Sequence, residues 1–338
     1  MPGDGVLLFD TPKVQDLGLN FTSHLVAGGD SSNAIPVNLA DGVVLDFPGL
    51  RLPNQSALVI KGSPYPPQQD IDGIIGYALF SRYAVYLDFE KTFFRCWTPA
   101  DFVPQDEFRE MPITFRGGFP YVPCIIETKN GDLISIQAYF DLGAGSALSL
   151  NAKSHPEFKF SDHAVESKVA SALGGTVSGR VGRINSLELC GFTLNEVIAA
   201  SCTGNLSRSA DHTEVHEGNI GIGVLNRFDV IIDYPNSRVH LKPNASFSKP
   251  YHFNTSGISV RKMKLGHFLI EQVTPYSPAS EAGLKAFDII VRVNGVRANQ
   301  ISAIDMNRIL VEDGNPYELL VSRNHTLIKF VVSPRTLI

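Results

Sequence analysis

The residue best placed to do chemistry is Asp141. It sits in Ala138-Tyr-Phe-Asp141-Leu-Gly143-Ala144-Gly145-Ser146-Ala-Leu148, where a strand-like run gives way to a turn of small residues. A carboxylate there can take or return a proton, and the glycines let backbone N–H groups crowd it and hold its charged form. Asp and Gly also dominate ordinary turns, so the motif alone equally fits a plain strand end. Other groupings offer less. His212 and His216 stand four apart, but as His-Thr-Glu-Val-His rather than His-Glu-x-x-His, in a Ser/Asp/His-rich stretch that reads as a surface loop. Gly145-Ser146-Ala lacks the Gly-x-Ser-x-Gly of a nucleophile elbow. No Lys-bearing glycine loop follows a strand, so nucleotide binding has no support. Cys96, Cys124, Cys190 and Cys202 form no Cys-x-x-Cys pair and read as scattered core thiols. No metal and no cofactor are expected.

The elements that must position Asp141 are strands. Runs such as Ala84-Val-Tyr-Leu-Asp-Phe, Val230-Ile-Ile-Asp-Tyr and Leu327-Ile-Lys-Phe-Val-Val lie between 21 prolines and 29 glycines, the pattern of a mainly β protein. With 43% hydrophobic and 19% charged residues, every segment can bury a core. A net charge of −5 argues against a nucleic-acid partner, and no apolar run reaches the roughly 20 residues that span a bilayer. The start, Met1-Pro-Gly-Asp-Gly, has neither the basic nor the apolar part of a signal peptide.

The chain also repeats itself. Gly73, Gly76, Arg82 and Asp88 recur as Gly218, Gly221, Arg227 and Asp233 at an offset of 145, with aromatics matched at Tyr83/Phe228 and Phe89/Tyr234. Leu45-Asp-Phe-Pro-Gly-Leu-Arg-Leu matches Leu187-Glu-Leu-Cys-Gly-Phe-Thr-Leu at an offset of 142. Two copies of one β-rich unit are therefore expected, joined where Pro99, Pro104, Pro112, Gly117 and Gly118 cluster.

An Asp-x-Gly-Ala turn after a strand, followed by Asn219-Ile220-Gly221, resembles the lobe of a pepsin/retropepsin-type aspartic peptidase, and the duplication resembles the bilobed bacterial members. That resemblance implies one catalytic Asp per lobe, here Asp141 in an active-site turn with Gly143 and Ala144. It implies a shared water, with one carboxylate as base and the other as acid, and like charges splitting the pair's titrations. It places a flap in Leu173–Arg180, at Gly174, Gly175 and Thr176. Leu142 departs from the pattern, standing where Thr or Ser is usual. The first lobe's Asp has no good candidate: Asp4-Gly5 lacks the spacer residue, and Asp10-Thr11 is followed by Pro12 and falls too late. Three readings stay open: a sequence starting at an internal Met of a longer exported protein, a non-catalytic derivative, or two chains each lending Asp141.

From about residue 248 the composition changes. Ser277-Pro-Ala, Ala282-Gly-Leu, Asp288-Ile-Ile and Asn294-Gly295 occur in an order that resembles a PDZ domain, with Phe287 where Gly usually precedes the Asp. Such domains bind C-terminal peptide tails by strand addition, which implies a carboxylate-binding loop near Gly257, Ile258 and Ser259. The expected fold is thus two acid-protease-like β-barrel lobes, 1–101 (lacking its catalytic turn) and 102–247, followed by a PDZ-like β-sandwich with short helices, 248–338. The expected function is aspartic-type peptide hydrolysis with a peptide or protein substrate. The alternative is a peptide-binding protein that keeps the cleft and groove without hydrolysis. The resemblance also implies a periplasmic or cell-envelope location.

Overall fold

A computed structural model of the chain describes residues 6–27, 35–61, 71–156, 158–160, 164–172, 175–202, 217–311 and 315–338. The protein is mainly β: its described residues form four sheets, and its helices are single turns apart from Ala303–Val311. Short β-branched and aromatic runs punctuated by Gly and Pro are too brief to propagate helix, and they gain by packing on pleated surfaces.

The largest sheet belongs to the second lobe. From one edge its order is Val165–Ala172, Gly175–Arg183, Ile198–Cys202, Leu148–Asn151, Gly218–Ile220, Leu133–Phe140, Phe119–Glu127, Ser186–Leu189 and Phe192–Asn195. The first lobe's sheet runs Phe21–Ala27, Ile35–Phe47, Leu50–Ile60, Val6–Phe9 and Gly73–Ile75. This is the first half of the same order: a hairpin, a third strand, then the strand pair that closes the repeat. Even the register agrees. Val6 faces Ile75 as Leu148 faces Ile220, and Leu8 faces Gly73 as Leu150 faces Gly218. The stretches matched in the sequence thus occupy like positions in the two sheets, and among the described residues the first sheet ends at Gly73–Ile75 where the second continues into its Asp-bearing strand.

A third sheet joins the copies, in the order Phe93–Trp97, Ala84–Asp88, Phe228–Asp233, Arg238–Pro243 and Arg109–Pro112. The two strands matched in the repeat pair with each other here, Val85 opposite Ile232 and Leu87 opposite Val230. Val85, Val230, Ile231 and Ile232 are buried, and Phe80 and Leu87 pack against the apolar clusters of both lobes. At roughly 1.5–3 kcal/mol for each such side chain taken from water, this strip is a strong hold between the lobes. The matched carboxylates close hairpin turns at this sheet: Asp88 accepts from the amides of Glu90 and Lys91, and Asp233 from those of Asn236. Arg82 and Arg227 each donate to the carbonyl four residues back, Ala78 and Gly223.

His240, 2% exposed on the shared sheet, gives this fold a pH dependence. Burial holds its imidazole below the ordinary value of 6.5, while Asp233 and Glu110 pull the other way. The Asp233 carboxylate lies 3.9 Å from Nε2, outside hydrogen-bond reach. The folded state therefore binds this proton less readily than the unfolded chain. As pH falls through about 6.5 the unfolded chain takes up a proton that the fold resists, and this part of the stability is lost. His240→Leu is expected to flatten the fall in melting temperature between neutral and mildly acid pH. An unchanged slope in the variant would show that His240 contributes nothing to it.

The C-terminal sheet has the order Ile258–Lys262, Phe268–Val273, Ile289–Val293, Tyr317–Arg323 and Thr326–Val332. Its core, including Ile258, Phe268, Ile270, Leu284, Ile290 and Leu319, is separate from that of the lobes. Ser277 caps the helix turn Pro278–Glu281, and Phe287 takes the left-handed backbone (φ 72°) that a glycine would adopt more easily. Arg227 fastens the connecting segment: its guanidinium donates to the carbonyls of Ser246, Phe247, Lys249 and Pro250 and stacks 3.6 Å from the centre of the Tyr251 ring.

Candidate active site

Asp141 follows the strand Leu133–Phe140 directly. Its amide still belongs to the sheet, donating to Ile220 O at 3.0 Å, and its carboxylate is half-buried at the strand's end. The loop from Asp141 to Ala147 then returns to Leu148–Asn151, and the strand Gly218–Ile220 lies between the two strands that this loop connects. Parallel to Leu133–Phe140 and antiparallel to Leu148–Asn151, it drives its end under the loop. Three bonds lock the crossing: Gly221 N to Ala147 O, Ile222 N to Ala144 O and Gly223 N to Ser146 O, at 2.8–3.1 Å.

The crossing requires glycine. A Cβ on Gly221 would lie 2.3 Å from Ser146 O and 2.6 Å from Ala144 O, closer than any side chain tolerates. Gly143 serves otherwise: its amide donates to Asp141 Oδ1 at 2.8 Å, and a Cβ there would meet that same oxygen at 3.2 Å. Ala144 donates to the Asp141 carbonyl at 3.3 Å and accepts from Ile222, so it is part of the lock. Leu142 packs on the second-lobe core.

Sequence reasoning missed Asn219. Its Nδ2 donates to Asp141 Oδ2 at 2.9 Å, reaching from the crossing strand. One signal was available: in the apolar-apolar-Gly pattern of the repeat, Ile74 is matched by a polar residue. The site is also aromatic. Tyr77, Phe80 and Phe115 pack on Tyr234, which with Tyr139 feels the charge of Asp141. Burial chiefly, and Asp141 next, push both phenols up, so they are neutral donors at any working pH.

The first lobe presents a like framework. Among the described residues Gly73–Ile75 is an edge strand, whereas its counterpart Gly218–Ile220 is flanked on that side by the Asp-bearing strand. Ile74 and Ile75 are 44% and 36% exposed, while Ile220 is fully covered. A Cβ on Gly76 would meet nothing within 4 Å, in contrast to Gly221. Asp4 lies outside the described residues. Asp10 follows Val6–Phe9 instead of preceding it, and accepts from Gln15 Nε2.

Of the flap residues, Gly174 lies outside the described residues. Gly175 and Thr176 begin the strand Gly175–Arg183, opposite Ala172 and Ser171 in the hairpin that edges the second-lobe sheet. His212 and His216 also lie outside the described residues. Among the described residues no cluster of His, Cys, Asp and Glu could hold a metal ion, and no helix is long and apolar enough to cross a membrane. A cavity of about 530 Å³ is lined by Cys124, Cys190, Gln137, Glu188 and Glu217 among others, and by none of the expected site residues. Burial raises its thiols, Cys124 to about 12 and Cys190 to about 11, so neither is a thiolate nucleophile near neutral pH.

In the C-terminal unit, Ile258–Lys262 is an edge strand among the described residues. The loop before it is occupied from within. Asn254 Oδ1 accepts from the amides of Ser256 and Gly257, and Ser256 Oγ from that of Ile258. Gly257 has a steric role as well: it has φ 78°, and a Cβ would lie 2.2 Å from Ser277 Cβ. Ser259 lies opposite Gln272 in the strand pair.

No family model matches the chain, and no curated protein matches it. Among solved structures it is similar to an aspartic proteinase from Irpex lacteus, at 16% identity over 73% of this chain and 88% of that one, with a TM-score of 0.47. It is similar to a retropepsin-like aspartic protease from Rickettsia conorii, at 19% identity over 40% of this chain and 90% of that one, with a TM-score of 0.29. A PDZ domain protein from Parabacteroides distasonis matches at 23% identity over 25% of this chain, with a TM-score of 0.23, and this chain spans 20% of that protein's length.

Proposed function

We propose that this chain hydrolyses peptide bonds by the aspartic mechanism, with Asp141 as one of two carboxylates on a shared water. The observation that carries this reading is the carboxylate of Asp141, gripped on Oδ1 by Gly143 and on Oδ2 by Asn219 at the mouth of a crossed loop. The second carboxylate belongs, by the register of the repeat, beside Gly73–Ile75. Asp141 stands seven residues ahead of Leu148, and the same step back from Val6 passes Met1.

With both in place the pair holds a single proton, since two adjacent like charges resist full ionisation. The ionised carboxylate takes a proton from water as its oxygen attacks the peptide carbonyl carbon. The protonated one gives its proton to the carbonyl oxygen. The resulting diol collapses as the amine leaves with a proton, and the pair returns to its starting state. The C-terminal unit takes peptide tails along the edge strand Ile258–Lys262, bringing substrate to the cleft.

Leu142 favours a second reading, peptide binding without hydrolysis, because it removes a hydroxyl beside the carboxylate. The test is cleavage of a diverse peptide mixture by the full-length native protein from acid to neutral pH, read by mass spectrometry. Cleavage that is greatest in acid and indifferent to chelators and to thiol- or serine-directed reagents is expected. Peptide binding without any cleavage would reject the enzyme reading and leave the binding one.

A further inference from the structure

We infer that Asn219 is a positioning residue for Asp141, one that hydrogen-bonds its carboxyl group in both protonation states. The inference rests on the reading of Asp141 as a proton-transferring group. The crossing strand is apolar in the first copy, where Ile74 occupies this register, so the fold itself does not ask for an amide. Asn219 nonetheless places Nδ2 2.9 Å from Asp141 Oδ2, and its Oδ1 is buried without a partner among the described residues. A buried polar atom left unpaired costs roughly 1–3 kcal/mol, so an amide that carries one at this register is there for its other half.

The chemistry of the amide explains the rest. An Asn side chain is a donor on one side and an acceptor on the other, and a half-turn about its last bond exchanges them. Against an ionised Asp141 the NH2 group donates, as in this structure. Against a protonated Asp141 the turned amide accepts the carboxyl proton on Oδ1. The carboxyl group thus keeps one orientation while it takes and returns a proton, a task that a hydroxyl at position 142 cannot share because Leu142 has none. Gly143 N–H holds the other oxygen throughout. Among the described residues the titratable groups that feel the charge of Asp141 are Tyr139, on its own strand, and Tyr234, at the end of the shared sheet; both phenols stay protonated in acid, so the amide is the group that must adapt.

The test uses the full-length protein with Asn219→Leu, which keeps the bulk and loses both functions, and Asn219→Asp, which keeps the shape. Asn219→Leu is expected to lower kcat by roughly tenfold to a hundredfold, the worth of a hydrogen bond to a charged group, with KM within about threefold. Asn219→Asp is expected to work only in acid, where the new carboxyl is protonated and can donate, and to fail as it ionises against Asp141. A residue that merely fills space would leave the shape of the pH profile unchanged in both. Independently of turnover, the side-chain amide signals of Asn219 in NMR spectra are expected to shift through one titration in the wild type and to stay still in Asp141→Asn. A wild type that cleaves nothing would defeat the peptidase reading, with the amide signals still deciding the role of Asn219. An amide that ignores pH, or an Asn219→Leu protein within about twofold of wild-type kcat, overturns the inference.

Discussion

Asp141→Asn is expected to abolish peptide hydrolysis while leaving the fold and peptide binding in place. The substitution is isosteric, so Gly143 N–H still finds an oxygen at the Oδ1 position and the crossed loop keeps all three of its backbone locks. What is lost is the capacity to take a proton from water. General acid–base groups of this kind contribute about 10²–10⁴ in rate, so a loss of at least about a thousandfold in kcat, roughly 4 kcal/mol in the barrier, is expected. The melting temperature and the affinity for an uncleaved peptide are the controls, and both are expected to stay near wild type. Hydrolysis surviving in Asp141→Asn at more than a tenth of the wild-type rate would remove Asp141 from the mechanism.

The largest structural effect is expected at Gly221. Valine there would press its Cβ into two backbone carbonyl oxygens, Ser146 O and Ala144 O, neither of which can move without giving up the bonds to Gly223 and Ile222. Forced overpacking against backbone, with the loss of these bonds, is expected to cost about 3–5 kcal/mol, seen as a lower urea midpoint for the second lobe. Gly76 is the informative control. Nothing lies within 4 Å of a Cβ there, so Gly76→Val in the chain of residues 1–338 is expected to cost far less. In a protein with an Asp-bearing loop over the first lobe, Gly76→Val is expected to be as damaging as Gly221→Val. Equal urea midpoints for Gly221→Val and wild type would mean that the crossing is not held as described.

Much of this architecture was readable from the residues, because the internal match falls on strand and crossing positions of both lobes, where Gly73, Gly218 and Gly221 have no room for a side chain. Gly73/Gly218 and Gly76/Gly221 mark strand and crossing in each copy, and the offset between them survived as a shared register. The Asp-x-Gly turn was likewise readable, since a strand must end for a carboxylate to meet backbone amides. The rest depended on partners far away in sequence. Asp88 and Asp233 match in the repeat, yet each caps a hairpin turn. Arg227 matches Arg82, but only the folded chain brings the carbonyls of residues 246–250 to it. By the resemblance to a PDZ domain, the loop at Gly257 is expected to bind a peptide carboxylate. Asn254, three residues earlier, already takes two acceptor-seeking amides there. Asn219 escaped notice because alternation along a three-residue strand is too short to say which way a polar side chain points.

The most direct test of the central claim, a second carboxylate brought beside Gly73–Ile75 to work with Asp141, is the intact mass and N-terminal sequence of the protein purified from its native cells. The expected result is a mature chain that extends ahead of Met1 and carries an Asp seven residues before Val6, in a turn like that of Asp141-Leu-Gly143. A mature chain that begins at Met1 would leave one such carboxylate per molecule and contradict hydrolysis by a paired carboxylate within this chain.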